Sequence, residues 1–243
     1  MLANVKSMAL HGLDGYLIQV QVDVSGGLPA WEIVGLADIA IKESKERVRI
    51  AIKNSGMEFP SRRIIVNLAP ADVRKEGTFL DLPIAIGVLI ATENIALQNL
   101  EDTIFIGELS LDGKVNRVNG ILPICIEAMK QGIKKVILPS KNAKEASTVK
   151  GLEIIPVESL TQTIAYLKGE CTIKTENINA EELLKEHSIY PYDFAEVKGQ
   201  ENIKRALEVA AARWTQLSFD WKPRLWQNND GKALTFNFAR IKL

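Results

Sequence analysis

Apolar and polar positions alternate with a two-residue period at the start of the chain. Residues 5–10 and 16–24 read as strands, the second carrying Leu17, Ile18, Val20, Val22 and Val24, with His11-Gly12-Leu13-Asp14-Gly15 turning the chain between them. Gly26-Gly27 turns it again, and residues 31–34 form a third strand. The period then lengthens to that of a helix over residues 39–54: Ile41, Val48, Ala51 and Ile52 fall near one face, Asp38 supplies the N-cap and Ser55-Gly56 ends it. Residues 62–68 are a short, strongly apolar strand that leaves through Ala69-Pro70. After the polar segment 71–78, Asp81-Leu82-Pro83 starts an apolar helix over residues 81–92; proline is tolerated in a first turn because its missing N–H has no partner there.

The densest signals lie between residues 103 and 139. Residues 103–111 read as one strand. Asp112-Gly113 is a strong hairpin turn because glycine takes positive φ without steric cost, and Val115 and Val118 resume the apolar pattern. Gly120 opens a helix over 121–131 that Gly132 closes. A strand at Lys135–Pro139, a polar helix at 141–150, a strand at Glu153–Val157 and a helix at 158–168 follow. Helices and strands alternate and several strands read as antiparallel, so residues 1–169 are expected to form one α/β (α+β) domain with a mixed sheet. Residues 170–190 are polar and read as a linker. Residues 191–212 open a second module, whose helix at 202–212 places Ile203, Leu207 and Ala210 on one face.

Composition narrows the chemistry. The 243 residues are 47% hydrophobic and 25% charged, and thirty basic residues balance thirty acidic ones, so global charge points to neither a nucleic acid nor a membrane. The apolar run 82–91 is far shorter than the roughly 20 residues of a membrane span, and no signal peptide is visible; a cytoplasmic chain with reduced thiols is expected. Cys125 sits on an apolar helix pattern and reads as a buried thiol; neither Cys125 and Cys171 nor His11 and His187 have metal-ligand spacing. One local concentration of charge stands out: residues 42–63 hold seven basic residues (Lys42, Lys45, Arg47, Arg49, Lys53, Arg62, Arg63) against Glu43, Glu46 and Glu58. That segment could touch phosphates, but it reads equally well as a solvated helix face, and no aromatic residue interleaves the basic ones.

The last stretch has a different character. Trp214, Trp221 and Trp226, three of the four tryptophans, fall in residues 213–243, which have no clear period. Tryptophan has the single codon TGG. Read one base later, each of the three followed by its own neighbour (Thr215, Lys222, Gln227) becomes glycine, the last two at G-x-x-x-x-G spacing, and Gln227 and Asn228 then admit lysine and threonine. That is the pattern of a phosphate-cradling loop, whose backbone N–H groups, lysine and hydroxyl hold a nucleotide and its Mg²⁺. Residues 213–243 are therefore expected to be an out-of-frame, disordered tail on a truncated chain, and the loop glycines and lysine are absent from the polypeptide itself.

Five motifs carry a resemblance. They are Val34-Gly35-Leu36-Ala37-Asp38, Ile65-Val66-Asn67-Leu68-Ala69-Pro70-Ala71-Asp72, Lys75-Glu76-Gly77-Thr78-Phe79-Leu80-Asp81-Leu82-Pro83, Gly107-Glu108-Leu109-Ser110-Leu111-Asp112-Gly113 and Val197-Lys198-Gly199-Gln200. With them, residues 1–212 resemble the N-terminal part of the magnesium-chelatase-like AAA+ ATPases, the ComM/YifB group. The resemblance implies a first domain of the Lon-protease-like, ribosomal-S5-domain-2-like fold with a mixed sheet, then an AAA+ module. It implies for intact members ATP, Mg²⁺, a homo-hexamer and DNA branch migration during natural transformation. Val197, Gly199 and Gln200 would lie near the adenine pocket, here as remnants, so no cofactor, metal or ATPase activity is expected of this chain. Lon-like peptidases use a Ser–Lys dyad; the matching positions here hold Phe79 and Leu122, expected to fill core, and Thr78 lacks a lysine partner at the matching place. The resemblance thus implies a domain without catalytic residues. A stand-alone protein- or DNA-interaction module is the alternative, and a divergent Lon-like peptidase a remoter one.

Overall fold

The computed structural model describes residues 2–12, 14–92, 100–175, 199 and 201–213. The chain divides into two compact units, Met1–Lys185 and Glu186–Leu243. The first unit begins with β1 (Leu2–His11), paired antiparallel along its whole length with β2 (Asp14–Ser25). Next come β3 (Ala30–Val34), α1 (Ile39–Asn54), β4 (Arg63–Ala69) and α2 (Asp81–Ala91). The segment that sequence reads as one strand over 103–111 is two: β5 (Thr103–Phe105) and β6 (Glu108–Leu109). β7 (Val115–Asn116), α3 (Ile121–Lys130), β8 (Lys135–Pro139), α4 (Ala143–Ala146), β9 (Glu153–Val157) and α5 (Leu160–Leu167) complete the unit. In the second unit α6 (Glu201–Arg213) is described, with Glu201–Lys204 and Arg205–Glu208 ion pairs one turn apart.

Seven strands form a mixed sheet in the order β3-β4-β2-β1-β5-β8-β9, antiparallel at β4-β2-β1 and parallel elsewhere. Successive strand residues point to opposite faces, and the sheet therefore separates two cores. On β8, Ile137 joins the core under α1 and α2, whereas Val136 and Leu138 join the core under α3 and α4. All eleven residues of α2 are buried. A helix apolar all round needs cover on every side; β1 and β2 lie under it and α1 beside it. Gly87 permits the closest approach, since a Cβ there would come within 2.6 Å of Val22 Cγ2.

The break in the 103–111 strand has a local cause. The Gly107 N–H donates to the Phe79 carbonyl at 2.9 Å, and the Gly107 carbonyl accepts from Leu82 N at 2.9 Å, which turns the chain out of the main sheet. Glu108-Leu109 then pair with Val115-Asn116 around the expected Asp112-Gly113 turn. The polar helix expected over 141–150 is also shorter. A single 3₁₀ turn, Ser140–Asn142, leads into α4, and the Ser147 and Thr148 hydroxyls take back the Lys144 and Glu145 carbonyls beyond it. Cys125 is buried as expected, and burial pushes its thiol up to about 12; Cys171 is half-buried. Of the expected linker, residues 176–190 lie outside the described residues, while Ile173 packs against the core under α2. No described helix is long and apolar enough to cross a membrane.

Gly35 marks the tightest backbone approach: its φ is 101°, and a Cβ would sit 2.3 Å from the Leu68 carbonyl oxygen. Gly35→Ala should cost roughly 3 kcal/mol or more in urea unfolding, whereas Gly26→Ala, which meets open space, should change little.

Candidate functional site

Three of the five motifs interlock at the start of α1. Asp38 caps the helix as expected, accepting from Ile41 N at 2.8 Å, and its second carboxylate oxygen accepts from Gly77 N at 3.1 Å. Lys75 is fully buried. Its backbone exchanges bonds with Leu36 and Asp38, and its ammonium donates to the carbonyls of Gly35 (3.2 Å) and Pro70. Burial lowers the Lys75 pKa, partly offset by Asp72. Leu36 is held at φ 53°, the left-handed region, with its side chain out in solvent.

The far end of the Lys75–Pro83 motif meets the Gly107–Gly113 motif at the start of α2. Asp81 is 1% exposed, and Arg47 of α1 reaches it with two bonds, Nε to Oδ2 at 2.8 Å and Nη2 to Oδ1 at 3.1 Å. Leu109 N donates a third at 3.2 Å. Burial raises the Asp81 carboxyl to about 6 although Arg47 opposes the rise. Beside it the Thr78 hydroxyl donates to Glu108, whose other oxygen accepts from Asn116 Nδ2 at 3.2 Å. None of these long-range pairs has a sequence signature, because their members stand about thirty residues apart.

Between these motifs and the end of the β1–β2 hairpin lies a cleft of about 850 Å³. Ala9, Leu10, Gly15 and Tyr16 come from the hairpin, Asp72, Val73, Arg74 and Glu76 from the loop before α2, and Phe79, Asn119 and Ile124 close it. Phe79 is half-buried and packs against both cores. Leu122 corrects the expectation that it fills core: it is 37% exposed on the outer side of α3, and it does not line the cleft. Tyr16 donates to the Arg74 carbonyl at 3.3 Å, and burial followed by the Glu76 charge raises its pKa.

The structure also redistributes the basic segment. Arg47 faces inward to Asp81 and Lys45 donates to the Trp31 carbonyl, which leaves Lys42, Arg49, Lys53, Arg62 and Arg63 as its exposed cations, Arg63 standing 3.6 Å from Glu32. Of the residues implied at an adenine pocket, Gly199 is exposed with φ 72°, while Val197 and Gln200 lie outside the described residues, as do His187, Trp214, Trp221 and Trp226. None of the described residues form a group of three or more His, Cys, Asp or Glu able to hold a metal.

The family model for the ChlI subunit of Mg-chelatase matches residues 20–142. The competence protein ComM of Haemophilus influenzae is 36% identical over 223 residues, covering 90% of this chain and 43% of the relative. The Escherichia coli protein YifB is 37% identical over 212 residues, covering 87% of this chain and 41% of the relative. Lon protease 2 of Bacillus subtilis is 26% identical over 178 residues, covering 66% of this chain and 32% of the relative. The chain therefore spans about two-fifths of the length of the ComM and YifB relatives.

Asp81 yields a pH test. Its carboxyl holds a proton more tightly folded (about 6) than unfolded (3.8), so its contribution to stability is fully present below 3.8 and is lost as pH rises through 6. Asp81→Asn cannot titrate. Relative to that variant, the wild type should lose about 3 kcal/mol at most between pH 4 and pH 7, read from urea midpoints; a constant difference would show that burial does not set this carboxyl.

Proposed function

Because the chain belongs to the magnesium-chelatase ChlI family and is similar to ComM and YifB along most of its length, we propose that residues 1–169 are the non-catalytic accessory domain of a ComM-type AAA+ ATPase. The observation that supports this is what stands at and around the two dyad positions. A Ser–Lys dyad needs a hydroxyl and a desolvated lysine in hydrogen-bond reach. Here the aromatic ring of Phe79 stands at the nucleophile's position, and Leu122, at the base's position, lies out on α3. The neighbouring Thr78 hydroxyl is occupied by Glu108, and Lys75, the one fully buried lysine among the described residues, gives its ammonium to two carbonyls. In the full-length protein the domain precedes a hexameric motor that uses ATP and Mg²⁺ to drive DNA branch migration during natural transformation. Residues 191–212 begin that motor, with Val197, Gly199 and Gln200 as the adenine side of its nucleotide pocket. Residues 213–243 are read out of frame, which removes the phosphate loop from this polypeptide.

Two measurements test the reading. The full chain should turn over neither fluorescein-labelled casein nor ATP; casein cleavage abolished by Thr78→Ala, or ATP hydrolysis, overturns it. Resequencing the gene across the Ala212 codon should uncover the G-x-x-x-x-G-K-T loop in the neighbouring frame, and an unbroken frame without it overturns the out-of-frame reading.

A further inference from the structure

We propose that the cleft beside β1 binds an extended polypeptide segment with alternating apolar and basic side chains, added to the sheet as one more strand. The proposal rests on the non-catalytic reading of the cleft: the segment is held and not cut.

The open edge is the first ground. β1 pairs with β2 from Leu2 to His11, yet on the β5 side, among the described residues, its register pair is Lys6↔Ile104 alone. β5 ends at Phe105, and Gly107 turns away to Phe79, so on that side no described strand lies beside Ala9 or Leu10. Alternate residues of an antiparallel strand aim their N–H and C=O away from the first partner, which makes such an edge a template for an incoming strand.

The walls are the second. Ala9 faces the core under α2 and Leu10 the core under α3. Phe79, packed against both cores, lines the cleft together with Asp72 and Glu76 of the loop before α2, and Ile124 lines it from the core under α3. A strand laid along this edge sends successive side chains to opposite faces, each with its own wall.

Charge sets the occupant. Arg74 pairs with Glu76 at 3.0 Å and Asp72 is exposed beside them, so the lining at this rim carries two carboxylates against one guanidinium, while the Lys75 ammonium that feels Asp72 is buried away from it. A lysine or arginine pointing to that rim would lay its methylene stem on Phe79 and its charge beside Asp72. The opposite face, with Leu10 and Ile124, takes apolar residues.

The probe is a fluorescein-labelled octapeptide of alternating valine and lysine, titrated with the full chain and followed by fluorescence anisotropy and amide chemical shifts. Binding should shift the amides of Ala9, Leu10, Gly15 and Tyr16. It should weaken about tenfold in the rim variant Asp72→Lys/Glu76→Lys, and it should vanish for a valine–glutamate peptide and for a valine–lysine peptide N-methylated at alternate residues. The N-methyl arm alters the ligand alone, so it stands whether or not a variant folds. No anisotropy change, equal binding to the N-methylated peptide or to the rim variant, or shifts confined to other residues overturns the proposal. Mass spectrometry of the recovered peptide separates the two readings: cleaved peptide refutes the non-catalytic domain, while intact, unbound peptide refutes only the strand site.

Discussion

A helix with no exposed residue must settle its own polar end inside the protein, and α2 is such a helix. Its first residue, Asp81, brings a carboxylate into the core. Leaving that charge alone there would cost several kcal/mol. Arg47 meets it with a bidentate fork and Leu109 N adds a third bond, so α1, α2 and the β6–β7 hairpin have little freedom to slide relative to one another. The neighbouring exchange between Gly107, Phe79 and Leu82 fixes the same junction through the backbone.

The hairpin is held from its other end as well. Asn54 Nδ2, at the end of α1, donates to the Leu111 carbonyl at 2.7 Å. Leu160 N, at the start of α5, donates to the Gly113 carbonyl at 2.8 Å, and Val115 N donates to the Glu158 carbonyl at 2.8 Å. A Cβ on Gly113 would sit 2.6 Å from Ser55 Oγ, so this turn needs glycine for space as well as for its φ of 81°. A short hairpin thereby joins the ends of two helices more than a hundred residues apart in sequence.

What was legible in the sequence was local. The Asp38 cap, the one-sided face of α1, the wholly apolar α2 and the Asp112-Gly113 turn follow from spacing, and spacing is a property of neighbours. The break at Gly107 was hidden because Ile106 and Leu109 are buried on both sides of it, so the apolar run continues while the backbone changes partner. Arg47 and Lys45 counted as surface charge because nothing nearby announces an Asp81 or a Trp31 carbonyl. Leu122 is a different kind of miss: the helical period that buries Ile121, Ile124, Cys125 and Ala128 turns Leu122, Ile126 and Met129 outward, and that could have been read. At the cleft, residue types at Phe79 and Leu122 spoke against peptidase chemistry, but the open edge of β1 depends on where β5 stops, which no periodicity foretells.

The two cysteines differ sharply in their surroundings. Cys125 lies in the core under α3 with its thiol pushed up to about 12, while Cys171 is half-buried just beyond α5. A maleimide needs access to the sulfur, which the buried Cys125 denies it and the half-buried Cys171 gives. The native chain thus carries a single attachment point for a dye or spin label, without any engineering, next to the stretch that leads from the first unit to the second.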